Sequence, residues 1–243
     1  MKYLKIILLF NILISFSANA LLEVNILKSK EAAFPIVIAP FEVIGDSSEN
    51  IDIAKIIRDN LNRSGQFSAL STDALVTNQI DFNFWKEHKK DAVVFGKVEQ
   101  VSPKVYDVYI YIYDVFSEKS LYQKKIRVHN KGFRKIAHFL SDKIYYVLLG
   151  QKGSFNTRLS YVTVTNNNSG GRTYRLQISD SDGFNPQTVV RQSNPILSPA
   201  WSKDQKKLAY VSFKNNRSEV FVMTPFLKTI PIKLPKFDGI ASS

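Results

Sequence analysis

The chain has 243 residues, a formal net charge of +12 and no cysteine. Without cysteine it cannot form a disulfide, bind a metal through thiolates or carry a lipid on a thiol. The basic surplus would suit nucleic acid or an anionic membrane. However, the lysines form only short groups (28–30, 86–90 and 124–127) and no nucleic-acid-binding motif accompanies them. We therefore predict a solvated basic surface and no nucleic-acid partner.

The first 20 residues have the pattern of a secretory signal peptide. Lys2 and Lys5 precede an apolar run from Ile6 to Phe16, and Ala18 and Ala20 form a small-x-small cleavage site. A membrane anchor is the alternative, but this run is much shorter than the ~20 residues that span a bilayer. We predict cleavage before Leu21 and export of the mature protein to the periplasm as a soluble chain.

Residues 21–33 are predicted to form an extended segment. Apolar Leu22, Val24 and Ile26 alternate with Glu23, Asn25 and Leu27, which is typical of a strand. Such a strand either joins the edge of a partner's sheet or pairs within its own domain, and the pattern fits both.

Residues 34–150 are predicted to form an α+β domain. An apolar strand at 34–41 precedes a helix with Ile53, Ile56, Ile57 and Leu61 on one face, ending near Gly65. A short strand at 67–70 and a helical segment at 82–89, anchored by Trp85, follow.

The second half of this domain is predicted to be three strands and a closing helix. The strands span 91–101, 107–116 and 121–128, and the middle one alternates aliphatic residues with tyrosines. The helix covers 133–149 and stops at Gly150. Helices packed on one mixed sheet give the α+β class.

Residues 151–243 are predicted to be all-β and to form an incomplete β-propeller of about one to two blades. Four strands, at 174–179, 188–191, 207–213 and 219–223, form one predicted meander. The third strand is apolar at even and odd positions, so both its faces must be covered, as in a propeller blade. Half of a β-sandwich is the alternative. In an unclosed propeller we expect Tyr210, Phe213, Phe221 and Met223 to lie near uncovered surface.

The sequence contains no catalytic, cofactor-binding or metal-binding motif. His88, His129 and His138 lack metal-ligand spacing, and the chain has no G-x-S-x-G nucleophile elbow or phosphate-binding glycine loop. Asp180-x-Asp182-Gly183 fails as an EF-hand, because Ile178 and Val189 would occupy its first and last ligand positions. We expect a turn in which aspartates hold backbone N–H groups.

Three motifs resemble the first propeller blade of the TolB family. They are Asp180-Ser181-Asp182-Gly183-Phe184-Asn185, Ser198-Pro199-Ala200-Trp201-Ser202-Lys203-Asp204 and Lys207-Leu208-Ala209-Tyr210-Val211-Ser212. Lys203 and Gln205 depart from the usual W-S-P-D-G turn. The Ser64–Phe67 turn and Asp91–Val94 are similar to the family's N-terminal domain. TolB proteins are periplasmic propeller proteins of the Tol–Pal envelope system.

The resemblance implies a non-enzymatic adaptor that links inner-membrane TolA to the peptidoglycan-associated lipoprotein Pal of the outer membrane. It would act in cell division and outer-membrane integrity and meet membranes only through its partners. The implied TolA-binding residues are Leu22, Glu23, Val24, Asn25, Ile26 and Leu27. Phe237, Asp238, Gly239 and Ile240 occupy the place where the next blade begins, on the implied Pal-binding propeller. The alternative is a fragment of an exported serine peptidase that carries a propeller.

Overall fold

The computed structural model describes residues 33–45, 52–73, 76, 79–166, 170–227 and 230–235. The leader with Ala18, Ala20 and Leu21, the predicted TolA-binding segment and Phe237–Ile240 lie outside these ranges. Among the described residues, no helix combines the length and apolar character needed to cross a membrane. The strands and helices, in chain order, are β1 (Phe34–Ile38), β2 (Glu42–Ile44), α1 (Ile53–Arg63), β3 (Phe67–Leu70), α2 (Phe82–Glu87), β4 (Ala92–Ser102), β5 (Val105–Asp114), β6 (Ser120–His129), α3 (Phe133–Leu149), β7 (Arg158–Asn166), β8 (Arg172–Asp180), β9 (Gln187–Gln192), β10 (Ile196–Trp201), β11 (Leu208–Ser212), β12 (Glu219–Met223) and β13 (Ile232–Lys233).

The first sheet is mixed and has the strand order β3-β1-β4-β5-β6, with β2 also paired to β4. β1 runs parallel to β3 and to β4, whereas β4, β5 and β6 form an antiparallel meander. The parallel pairing of β1 and β3 requires a crossover, which α1 supplies.

Helices α1 and α3 cover one face of this sheet. α1 begins where the Asp52 carboxylate accepts a hydrogen bond from the Lys55 N–H at 2.8 Å. Ile53, Ile57 and Leu61 of its predicted stripe are buried with the inward side chains of β1, β4 and β5, and Ile56 is partly buried. α3 has the predicted bounds and ends at Gly150, whose φ of 70° is the left-handed conformation that glycine adopts without strain.

The other face of the sheet is covered in part by the short helix α2. Trp85 is buried there against Val37, Ala39, Phe95 and Val115. Tyr111 and Tyr113 of β5 pack against this cluster, whereas the aliphatic residues of β5 lie in the core with α1 and α3. This confirms the predicted division of the β5 faces.

The all-β part forms two sheets, one of three strands (β7-β8-β9) and one of four (β10-β11-β12-β13). The prediction of a single four-stranded meander was therefore wrong. β8 pairs along its full length with β7, and β11 pairs with β10; neither β7 nor β10 is among the four predicted strands. The chain leaves the β7-β8-β9 sheet at Ser193-Asn194-Pro195, because Pro195 has no N–H to donate to a neighbouring strand.

The two sheets share one buried cluster. Leu176 and Ile178 of β8 pack in it with Ile196, Leu208, Tyr210 and Met223. Tyr210 and Met223 are thus buried, and the expectation that they lie near uncovered surface was wrong, because the β7-β8-β9 sheet covers that face of β11 and β12. The exposed apolar side chains lie instead on outer strands and loops, such as Leu159, Val164, Leu197, Ile230 and Ile232. Among the described residues these two sheets do not close into a ring. This confirms the predicted fold class, an α+β domain followed by an incomplete propeller.

The link from α3 to β7 is fixed by one carboxylate. Asp142 accepts hydrogen bonds from the N–H groups of Phe155 at 2.8 Å and Asn156 at 3.1 Å. Phe155 is buried with its ring 5.7 Å from that of Tyr145. A Cβ on Gly153 would lie 2.4 Å from Asp142 Oδ1, so the close approach needs glycine. The link therefore sets how α3 faces the propeller sheets.

Candidate functional site

The turn that follows β8 carries the polar groups that meet α3. The N–H of Gly183, at φ 82°, donates to the Asp180 carbonyl at 2.9 Å. Asp182 Oδ1 accepts the N–H of Phe184 at 3.1 Å, as predicted for an aspartate that holds the turn. The Asp180 side chain and the second Asp182 oxygen point to α3, which the sequence did not predict.

Arg134 of α3 joins both aspartates. Its Nη2 donates to Asp182 Oδ2, and its Nε lies 3.5 Å from Asp180 Oδ2. Its guanidinium also stacks on Phe184, 3.8 Å from the ring centroid. These contacts clamp the turn onto the helix.

One helical turn further along, His138 is buried in a polar network. The side-chain oxygen of Asn60 in α1 accepts a hydrogen bond from Arg63 at 2.9 Å. The Asn60 Nδ2 is therefore the donor to His138 Nδ1 and to Ser141 Oγ, both at 2.9 Å. The Ser141 hydroxyl donates to the Ala137 carbonyl at 2.8 Å. Because Nδ1 of His138 accepts, the neutral ring carries its proton on Nε2. That nitrogen lies 3.8 Å from Asp182 Oδ2.

The ionisation of this cluster follows from its surroundings. Burial disfavours the charge on Asp182, but hydrogen bonds from the Phe184 N–H and from Arg134 outweigh it, so the pKa of Asp182 lies below its ordinary value. Burial lowers the pKa of His138, and the negative charges of Asp182 and Asp180 oppose this only in part. The stable state is therefore a neutral imidazole beside an ionised carboxylate.

His138, Asp180 and Asp182 have ligand atoms within 4.8 Å of one another, as a metal site would. The geometry favours an ion-pair cluster instead. Arg134 already occupies both carboxylates, and the His138 nitrogen that faces them carries a proton rather than a free lone pair. We assign these residues to the junction between the helix and the blade.

A cavity of about 650 Å³ opens beside this junction. It is bordered by the start of α3, the link to β7, the turn after β8 and Trp201 at the end of β10. Its volume lies in the range of about 300 to 1,000 Å³ that ligand pockets occupy. Its lining side chains are Lys131, Arg134, Lys135, His138, Asn156, Thr157, Arg158, Asp180, Phe184, Asn185, Trp201 and Gln205.

The sequence did not single out Arg134, His138 or Asn60. In the structure His138 is buried and its ring is bonded to Asn60, whereas His88 and His129 are exposed. One signal was available, since Arg134 and His138 are four residues apart and so share a helix face. Their partners on the blade, 48 residues from Arg134 in the case of Asp182, could not be read from that spacing.

Two family models match the chain in succession. Residues 22–121 match the TolB amino-terminal domain, and residues 145–242 match the TolB beta propeller domain. Together they span both parts of the fold.

The curated relatives include the Tol-Pal system protein TolB of Ruthia magnifica subsp. Calyptogena magnifica, which is 58% identical over 226 residues, 93% of this chain and 53% of that protein. The Tol-Pal system protein TolB of Vesicomyosocius okutanii subsp. Calyptogena okutanii is 53% identical over 224 residues, 92% of this chain and 53% of that protein. The chain thus spans about half the length of these relatives.

Among solved structures, TolB from Acinetobacter baumannii superimposes with a TM-score of 0.73 at 33% identity, over 85% of this chain and 50% of that one. Fold, succession of domains and sequence identity agree, and the chain belongs to the TolB family.

Proposed function

We propose that this chain is a non-enzymatic periplasmic adaptor of the Tol–Pal system that links TolA at the inner membrane to Pal at the outer membrane. In this role it supports cell division and outer-membrane integrity. The observation that carries the proposal is 58% identity over 226 residues to a Tol-Pal system protein TolB. The signal-peptide pattern ending at Ala20 supports the periplasmic location.

Within this proposal the two ends of the chain have different partners. Leu22 to Leu27 bind TolA, and the propeller, including Phe237 to Ile240, binds Pal. The alternation of Leu22, Val24 and Ile26 suits a strand added to a partner's sheet, where backbone hydrogen bonds give affinity and side chains give specificity. The match of residues 22–121 to a TolB amino-terminal domain favours the adaptor over a fragment of a peptidase.

The junction supports an adaptor because it joins the two parts of the fold through several independent contacts. Arg134 binds the turn after β8, and Asp142 holds the link before β7. A force or a binding event on one part is then transmitted to the other instead of being lost in a flexible linker.

The test for TolA is a pull-down with purified TolA and a variant that lacks residues 22–27. The deletion is expected to abolish binding and to leave the thermal melt of the α+β domain unchanged. The control K28S/K30S alters the residues just beyond the segment and is expected to bind normally. TolA binding of undiminished strength by the deletion variant would refute the assigned segment.

The test for Pal is titration of the 243-residue chain against Pal, beside the longer relative from Ruthia magnifica. A propeller's binding face is assembled from loops of several blades. We therefore expect measurable but weaker binding by this chain. Equal affinity would show that the part of the longer relative outside the match does not contribute to the interface.

A further inference from the structure

The cavity beside α3 has a surplus of positive charge. Arg134 is shared by Asp180 and Asp182, but Lys131, Lys135 and Arg158 also border the cavity and have no ion pair among the residues that the structure describes. These three side chains belong to exposed residues, and Arg158 stacks on Phe226 at 4.8 Å. Cations held around one concave opening reinforce each other's field and attract an anion.

Three side chains that line the cavity also have a buried nitrogen without a hydrogen-bond partner in the part of the chain that the structure describes. Among the described residues, the buried side-chain nitrogens that lack a hydrogen-bond partner are Arg134 Nε, His138 Nε2 and Trp201 Nε1, and all three residues line this cavity. Each of these nitrogens is a donor, since the His138 proton is on Nε2. All three nitrogens are buried, so they do not contact a ligand directly. The Asp180 carboxylate in this wall already faces Arg134, so Lys131, Lys135 and Arg158 remain to contact an anionic ligand.

Apolar surface lies next to these charges. Phe184 is 54% exposed at the cavity, and Trp201 lies on the wall. A ligand that combines carboxylates with an apolar side chain uses both features, because the part of Phe184 that Arg134 leaves exposed lies beside the cations. A lipid bilayer fits poorly, since the cations surround a recess rather than a flat face.

We propose that this cavity binds an acidic peptide segment of a partner protein. The carboxylates of that segment contact Lys131, Lys135 and Arg158, and an apolar side chain packs on Phe184. The site goes beyond the adaptor function, because it lies at the junction with α3 and includes neither Leu22 to Leu27 nor Phe237 to Ile240.

The first experiment measures fluorescence anisotropy of a labelled peptide of alternating Glu and Leu with the full chain. A matched peptide with Gln in place of Glu is expected to bind at least about tenfold more weakly. Raising the salt concentration from about 50 mM to about 500 mM is expected to weaken binding of the acidic peptide markedly, because salt screens exposed charges. Equal affinity for the two peptides would overturn the proposal.

Two charge-reversal variants locate the binding. K131E/K135E is expected to lower the affinity for the acidic peptide by at least about tenfold. The control K119E/K124E makes the same change of net charge at exposed positions in β6 and in the loop before it. Its affinity for the acidic peptide is expected to stay within about twofold of that of the unaltered chain. Equal losses in both variants would mean a nonspecific charge effect and would refute the site.

A measurement on the unaltered chain decides the matter even if a variant fails to fold. The chain has two tryptophans, with Trp201 at the cavity and Trp85 in the cluster on the opposite side of the first sheet. In an NMR titration, the indole N–H signal of Trp201 is expected to shift on adding the acidic peptide, while that of Trp85 stays in place. An unmoved Trp201 signal, or binding of phosphatidylglycerol vesicles in place of the peptide, would overturn the proposal. TolA pull-down tests the adaptor function separately, so the two can fail independently.

Discussion

His138 Nε2 lies 3.8 Å from the Asp182 carboxylate, which is too far for a hydrogen bond. On its other side the ring accepts a hydrogen bond from Asn60. A second proton on the imidazole would turn Nδ1 into a donor facing the Asn60 donor, which breaks that bond. The contact between α1, α3 and the turn of the β7-β8-β9 sheet is therefore compatible with a neutral His138 only.

The first prediction concerns stability at mildly acidic pH. Burial lowers the pKa of His138 in the folded state, so below about pH 6.5 the unfolded chain binds a proton that the folded chain resists. The free energy of unfolding should therefore fall as pH drops from about 7.5 to about 5.5, by up to about 1.4 kcal/mol per pH unit. Urea unfolding at a series of pH values measures this slope.

The His138→Gln variant is expected to lose the corresponding part of the slope. His88→Gln is the matched control, since it makes the same change at an exposed position. If His138→Gln keeps the full pH dependence of the wild type, the buried histidine is not its source.

The second prediction concerns the ion pair of Arg134 and Asp182, whose side chains are 22% and 18% exposed. A double-mutant cycle with Arg134→Ala and Asp182→Asn should give a coupling free energy of about 1 to 3 kcal/mol. The reason is that each single change leaves a partly buried charge without its partner. Urea denaturation supplies the four stabilities.

The matched pair for comparison is Lys55 and Asp59, which are 62% and 54% exposed on α1. Because water screens this pair, its coupling should not exceed about 0.5 kcal/mol. Similar coupling in both cycles would mean that Arg134 does not hold the blade.

The third prediction concerns Gly153 in the link between α3 and β7. Gly153→Ala places a Cβ 2.4 Å from Asp142 Oδ1 and 3.0 Å from its Cα, so the link must move. We expect a loss of about 1 to 3 kcal/mol and faster proteolysis within residues 150–157. Thermal melts and limited proteolysis report the two effects.

Gly132→Ala is the control for this change, since a Cβ there meets its nearest neighbour, the Val128 side chain, at 4.0 Å. It is expected to change stability by less than about 1 kcal/mol. A Gly153→Ala protein as stable and resistant as the Gly132→Ala protein would show that the link has room to adjust.

The fourth prediction concerns β13, which ends the β10-β11-β12-β13 sheet among the residues that the structure describes. Ile232 lies on the two-residue strand β13 and is 71% exposed. An exposed apolar edge strand promotes pairing between chains, and a lysine on the edge opposes it. Ile232→Lys should therefore reduce concentration-dependent association in analytical ultracentrifugation. Tyr146→Lys, at an exposed position of helix α3, should leave association unchanged; an equal decrease would indicate a general effect of charge.

The amino-acid sequence determined the elements whose signals are local. The stripe from Ile53 to Leu61, the left-handed stop at Gly150 and the alternation in β5 each depend on residues a few positions apart. For the same reason the turn of Asp180 to Asn185 and its aspartate hydrogen bond were predictable from residue type. The family resemblance likewise rests on short contiguous motifs.

Only the tertiary structure decided which strands share a sheet and which side chains share a site. Whether β8 pairs with β7, and whether β11 belongs with β10, depends on competition between distant segments of similar strand character. Tyr210 and Met223 are buried because another sheet covers them, which their own strands do not encode. Arg134, Asn60 and Asp182 likewise meet only after α1, α3 and the first blade pack together, because a buried charge or amide is satisfied by whatever partner the packing brings within reach.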